Sequence, residues 1–351
     1  MDEQIMQALE LVTQPVLFAL DGRIAWRNTA AAPLLAVGTE VSVLIDPELL
    51  ALWSGESVLH LPATLAGRDY LLSLRRFQGG LLFVTEPQRL TANDSEQMEA
   101  TAVQLRRPLQ AMFAATQTLF ENAGEDDAAA PAQLSRSMYQ LLRICCQLSD
   151  CGRALRHALP LNRCAVDAKH FFDTLAEALE PLIKILGLHF FYRGLTASCR
   201  IWLDESLVER AVYQLAVNAA RNTAKGGTVT LSVELLSTAL AVRVRSEGEC
   251  AGEQTAVQHS APFSPDDTHY ASDMGLALLQ EIARLHGGAL MFTGNGAKAG
   301  TTALLSLSLR SAHTQLHSPR LSFDYAGGFN HGLVEFAELL PETLYAPENL
   351  F

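Results

Sequence analysis

The chain has 351 residues, 49% of them hydrophobic and only 18% charged, with a formal net charge of −12. That length allows two or three domains. The acidic balance argues against nucleic acid or an anionic membrane surface as the main partner. Six cysteines are scattered without a CxxC pair or His/Cys ligand spacing, so reduced thiols are expected and a cysteine metal site is not. No apolar run approaches a membrane span, and Met1 begins an ordinary amphipathic segment, so a cytoplasmic protein without membrane contact is expected.

Residues 1–88 read as a small α+β unit. A short helix precedes the hairpin "PVLFAL"–Asp21–Gly22–"RIAWRN", and three more strands follow at "SVLHLPAT", "RDYLLSLRRF" and "GLLFVTEP". Residues 93–158 read as two long helices. The first carries Met98, Ala102, Leu105, Leu109, Met112, Thr116 and Leu119 at alternating steps of four and three. The second repeats the rhythm at Leu134, Met138, Leu141, Cys145, Leu148 and Leu155. A short polar loop makes them an antiparallel hairpin. Its seam is covered either by a second copy, giving a four-helix bundle, or by neighbouring parts of the chain.

Residues 164–310 read as an α/β sandwich with helices at "AKHFFDTLAEALEPLIKILG", "ESLVERAVYQLAVNAARNTAK" and "GLALLQEIARLHGG". Strands surround them, and an irregular stretch runs from Glu249 to Ser272. Residues 311–351 are an acidic tail ending in "GLVEFAELLPETLYAPENLF". Glutamates beside Leu, Phe and Tyr fit a helix laid in a groove, of a partner or of the chain itself.

This order resembles a sensor histidine kinase. "D-G-x-I-x-x-x-N" ending at Asn28 looks like the opening of a compact PAS domain, a generic α+β module being the alternative. "LRRPLQAM" resembles the phosphoacceptor box, "LAVNAARNT" the N box, and "GLALLQEIARLHGG" the end of the glycine-rich G2 box. The resemblance implies an α+β multidomain fold: a PAS-like domain, a dimerisation hairpin and a Bergerat-type ATPase domain of the GHKL class.

The same alignment makes this a degenerate member. Val103 stands where the phosphoacceptor histidine belongs and Gln104 where the acid belongs, and valine has no atom that accepts a phosphoryl group. Autokinase activity is therefore expected to be absent. At the N box, Asn218 takes the magnesium-binding position and Arg221 the position of a phosphate-contacting lysine. Gln214 shares their helix face, and a solvated polar stripe is the plainer alternative. Ser246 replaces the adenine-binding aspartate, Gly248 is kept, Cys250 replaces a glycine, and Thr301 matches the aspartate's threonine partner. Losing the aspartate's hydrogen bond should cost on the order of 1–3 kcal/mol. In "ASDMGL" Ala271 and Asp273 replace two glycines of the phosphate loop, leaving Gly275 and Leu276. Mg-ATP binding is thus expected to be weak or absent.

Three functions follow as expectations. One is a pseudokinase scaffold in two-component signalling, homodimeric through the hairpin and binding a response regulator or another kinase. The second is an Mg-ATP-gated switch without hydrolysis. The third is residual kinase or phosphatase action on a partner.

Overall fold

In a computed structural model the described residues are 3–55, 57–87, 92–120, 129–247, 269–294, 300–309 and 326–346. The first unit has α1 (Glu3–Glu10), β1 (Val16–Leu20), β2 (Arg23–Arg27), α2 (Pro47–Ala51), β3 (Leu59–Leu65), β4 (Arg68–Phe77) and β5 (Gly80–Pro87). Asp21 and Gly22 both take positive φ (50° and 75°), the backbone that a two-residue hairpin turn needs. Asn28 is buried and ties this unit together. Its Oδ1 accepts the Val16 N–H at 2.9 Å, and its Nδ2 donates to the Gln14 carbonyl at 2.9 Å. A buried amide so fully satisfied is structural.

The hairpin is α3 (Ala92–Phe120) and α4 (Ala129–Leu155). The two seams are divided. Met98, Ala102, Leu109, Thr116, Met138 and Cys145 are buried, whereas Leu105, Met112, Leu134 and Leu141 are exposed. Each helix thus has one row on its own partner or the rest of the chain and one row facing out.

The third unit comprises β6 (Cys164–Asp167), α5 (Ala168–Ile185), β7 (His189–Arg193), β8 (Arg200–Leu203), α6 (Glu205–Arg221), β9 (Thr228–Leu235), β10 (Ala239–Glu247), α7 (His269–Leu285), β11 (Leu290–Gly294) and β12 (Thr301–Ser308). β6, at the unit's boundary, has no counterpart among the expected strands and pairs with β8 in a separate two-stranded sheet. Four residues with only Val166 buried are too short a pattern to recognise. α5 and α6 start at the caps Asp167 and Asp204, whose carboxylates accept from Lys169 N–H (3.0 Å) and Leu207 N–H (3.2 Å).

All other strands form one ten-stranded sheet in the order β2-β1-β5-β4-β3-β11-β12-β10-β9-β7. Among the described strands only β7 and β9 pair in parallel. Within the sheet the first and third units are joined by two residue pairs, Leu59 with Thr293 and His60 with Phe292. Ser57 Oγ reinforces the join, 2.7 Å from Thr293 Oγ1 and 2.6 Å from the Gly294 carbonyl. Ala241, Met291 and Leu304 pack into the core of the first unit, so β10–β12 are buried on both faces.

The chain then returns. α8 (His331–Glu335) and a 3₁₀ turn (Glu342–Tyr345) belong to the main core, with Val334, Phe336, Ala337, Leu340 and Tyr345 fully buried. Of the two occupancies open to the tail, the structure has the one on its own chain. Four aromatic rings line this junction. Phe329 lies against Phe113 of α3 (centroids 4.4 Å apart) and Tyr139 of α4 (5.5 Å), and Tyr345 lies 5.1 Å from Tyr139. Among the described residues no helix is long and apolar enough to cross a membrane.

Candidate functional site

The residues that the sequence marks as a nucleotide site sit on α6, the ends of β10 and β12, and α7. α6 lays Leu207, Val208, Ala211, Val212, Leu215 and Ala219 into the core. That leaves Gln214 and Asn218 half-buried on the other side and Arg221 at the helix end.

Arg221 is already paired. Its Nη2 contacts Glu338 Oε2, and the other oxygen of Glu338 takes Arg143 of α4. Arg143 is held tightly: its side chain is 5% exposed. Burial, assisted by the neighbouring Arg221, lowers its pKa to about 10. Burial also lowers the pKa of Arg221. Farther along α6, Arg210 is buried between Asp150 of α4 and Glu335 of α8, 3.6 Å from the latter. Arg136 Nη1 lies 3.5 Å from Glu342 Oε1, and its Nε and Nη2 donate to the Ala337 and Glu338 carbonyls at 3.2 and 3.0 Å.

Ser246 is completely buried. Its Oγ accepts the Thr301 N–H at 2.9 Å and lies 3.3 Å from Thr301 Oγ1 and from the Thr301 carbonyl. The structure thus brings Ser246 and Thr301 together, but as a closed cross-strand pair. Gly248 and Cys250 lie outside the described residues.

The expected phosphate loop is corrected. α7 begins at His269, so residues 271–274 form helix and Gly275 is well inside it. Without the two glycines nothing holds this stretch open, and alanine, methionine and leucine favour the helix. A Cβ on Gly275 would meet Gln214 Nε2 at 3.4 Å, an ordinary contact, so neither φ nor close approach demands glycine there. Met274 and Ala277 pack with Met98 and Cys151 of the hairpin, and Leu276 faces the core. Below them, Glu281 is buried and accepts from His157 Nδ1 (2.8 Å) at the end of α4 and from Arg284 (2.6 Å).

The side chain of Asn218 is half-buried, and no hydrogen bond or ion pair of it is seen among the described residues. Val103 is 58% exposed on α3, and no group of three or more His, Cys, Asp or Glu side chains suited to a metal occurs among the described residues. Sequence reasoning missed Arg143, Arg210, Glu335 and Glu338. The signal was present as Glu335, Glu338 and Glu342 at i, i+3 and i+7 amid apolar residues, and as Arg136 and Arg143 seven apart on one helix.

Residues 203–311 match the family described as histidine kinase-, DNA gyrase B- and HSP90-like ATPase. Sensor histidine kinase SpaK of Bacillus subtilis is 26% identical over 239 residues, which are 64% of this chain and 49% of SpaK. The chain thus spans about half the length of the curated relative it matches. Two solved structures are similar. Full-length ShkA in complex with AMPPNP is 21% identical, covering 64% of this chain and 47% of that one, with a TM-score of 0.46. Histidine kinase ThkA in complex with response regulator TrrA is 15% identical, covering 88% and 99%, with a TM-score of 0.39. Residues 203–311 thus resemble an ATPase domain of the family that histidine kinases share with DNA gyrase B and HSP90.

Proposed function

We propose that this chain is a histidine-kinase-type signalling protein without autokinase activity, a dimeric scaffold whose ATPase-like domain is used for contact rather than catalysis. The observation that carries this reading is the occupation of the candidate nucleotide face by protein. Glu338 holds Arg221, Met274 is packed on the hairpin, and the residues of the phosphate loop are wound into α7. Phosphoryl transfer is mostly positioning and charge stabilisation around the nucleotide phosphates. None of the residues just named is arranged to supply it, and Val103 supplies no nucleophile.

The hairpin is read as the dimer interface because its outward row, Leu105, Met112, Leu134 and Leu141, has the heptad spacing of a four-helix bundle. The first unit is read as PAS-like, with β1–β5 ordered 2-1-5-4-3. The partner class is a receiver domain or a catalytically competent kinase. Incubation with radiolabelled Mg-ATP tests the reading: the chain stays unlabelled, and stable acid-labile phosphate on it refutes the proposal.

A second reading, a nucleotide-gated switch, is favoured by one observation. The Arg221 side chain is 44% exposed and, among the described residues, is held by a salt bridge that water reaches. Asn218 and Arg221 would then hold Mg-ATP once Glu338 lets go. Calorimetry with Mg-ATP decides between the two.

A further inference from the structure

The returning segment, residues 326–346, is built in two layers. Its apolar residues, Phe329, Phe336, Ala337, Leu340 and Tyr345, pack on α3, α4 and α6 and supply the adhesion. Its acids supply the address. Glu335 faces Arg210, Glu338 faces Arg143 and Arg221, and Glu342 faces Arg136. Two of these arginines come from the hairpin and two from the ATPase-like domain. With Asp150 beside Arg210, four carboxylates meet four guanidiniums, so the charges balance.

Glu338 is the pivotal member. One carboxylate joins an arginine of each unit, and it is itself 38% exposed. Removing it leaves Arg143, almost wholly buried, facing Arg221 without an anion between them. Like charges set that close repel.

We propose that residues 326–346 are a displaceable strap that clamps the ATPase-like domain onto the hairpin, with Glu338 as its latch. Latched, the strap holds α6 and α7 against α4 and keeps Arg221 from any incoming phosphate. Unlatched, both arginines are released and that face opens. The clamp stands on the zipper alone; only the statement about phosphate rests on the nucleotide-switch reading.

Hydrogen exchange of the full chain tests the clamp. Glu338→Gln keeps the side chain's shape and every apolar anchor, so it leaves the fold in place, which a melting curve checks. Amide exchange in residues 214–221 and 274–278 should rise about tenfold, the effect of losing roughly one charged hydrogen-bond contribution. Glu338→Asp, which keeps the charge, should restore much of the protection. The double variant Glu338→Gln, Glu342→Gln should exceed the single one. Wild-type exchange rates in both glutamine variants would overturn the strap. Calorimetry with Mg-ATP on the same proteins separates the two ideas. Faster exchange together with new binding heat supports both, whereas faster exchange without heat supports the clamp and removes only the nucleotide reading.

Discussion

Arg210 is the most demanding residue to remove. It is buried on α6 between Asp150 of α4 and Glu335 of α8, so it joins the ATPase-like domain, the hairpin and the strap at one point. Arg210→Met keeps much of the volume but leaves two carboxylates buried without their cation. Deleting one partner of a buried pair costs about 3–5 kcal/mol, a large share of the roughly 5–15 kcal/mol that an ordinary domain possesses. At roughly 2–4 °C per kcal/mol for a cooperative unit of this size, the melting temperature should fall by about 6–20 °C. Scanning calorimetry should also split the transition, because three units lose their common tie. The triple variant Arg210→Met, Asp150→Leu, Glu335→Leu removes the stranded charges and should recover to within about 1 kcal/mol of wild type. A single variant that loses less than about 1 kcal/mol would show that the triad does not join the units, and the account of the interface would fail.

His286 sits in the core with Nε2 accepting the Asp204 N–H at 3.0 Å and Nδ1 donating to the Ile282 carbonyl at 2.8 Å, which requires the neutral ring. Burial, with Arg163 adding to it, lowers its pKa below the ordinary 6.5. A folded value below the unfolded one contributes stability that is present above about 6.5 and lost as the pH falls; urea melts should show His286→Gln with a flatter acid limb than wild type. Under the proposed reading, in which protein groups occupy the nucleotide face, Val103→His should remain free of phosphate when incubated with Mg-ATP; labelling at the new histidine would contradict that. Leu105→Glu combined with Leu141→Glu places charge in the outward hairpin row and should turn a dimer into a monomer by sedimentation, whereas an unchanged assembly would place the interface elsewhere. Burial raises the Cys146 pKa to about 12, so alkylation of the native protein should spare Cys145, Cys146 and Cys151 and mark the exposed Cys164 first; equal labelling of all four would refute the buried hairpin core.

Local rules carried the sequence reading a long way. The Asp21–Gly22 turn, the strands and the core face of α6 are set by residues next to one another in the chain, so periodicity and turn chemistry reveal them. The pairing of Ser246 with Thr301 follows from strand register once both strands are recognised. The misses have a common cause, which is distance along the chain. Nothing near Arg221 indicates that Glu338 will neutralise it, and nothing near Leu59 indicates that Thr293 will lie beside it. The helical start of α7 is different. Ala271 and Met274 favour helix locally, whereas the resemblance implies a loop that would need glycines at Ala271 and Asp273. Splitting of each heptad row into an inner and an outer half also needs the tertiary structure, because spacing alone does not say which neighbour arrives.

The join between β3 and β11 changes what it means to divide this protein. Each of these strands lends the other a partner through two residue pairs, which covers part of what would otherwise be a bare rim of amide and carbonyl groups on either side. A cut near residue 88 would separate the units in sequence and also uncover both rims. The fragments would then present sticky strands to one another and to their own copies. The two units are therefore each other's edge protection, and the smallest piece that behaves as a well-mannered solute is one that keeps both halves of the sheet.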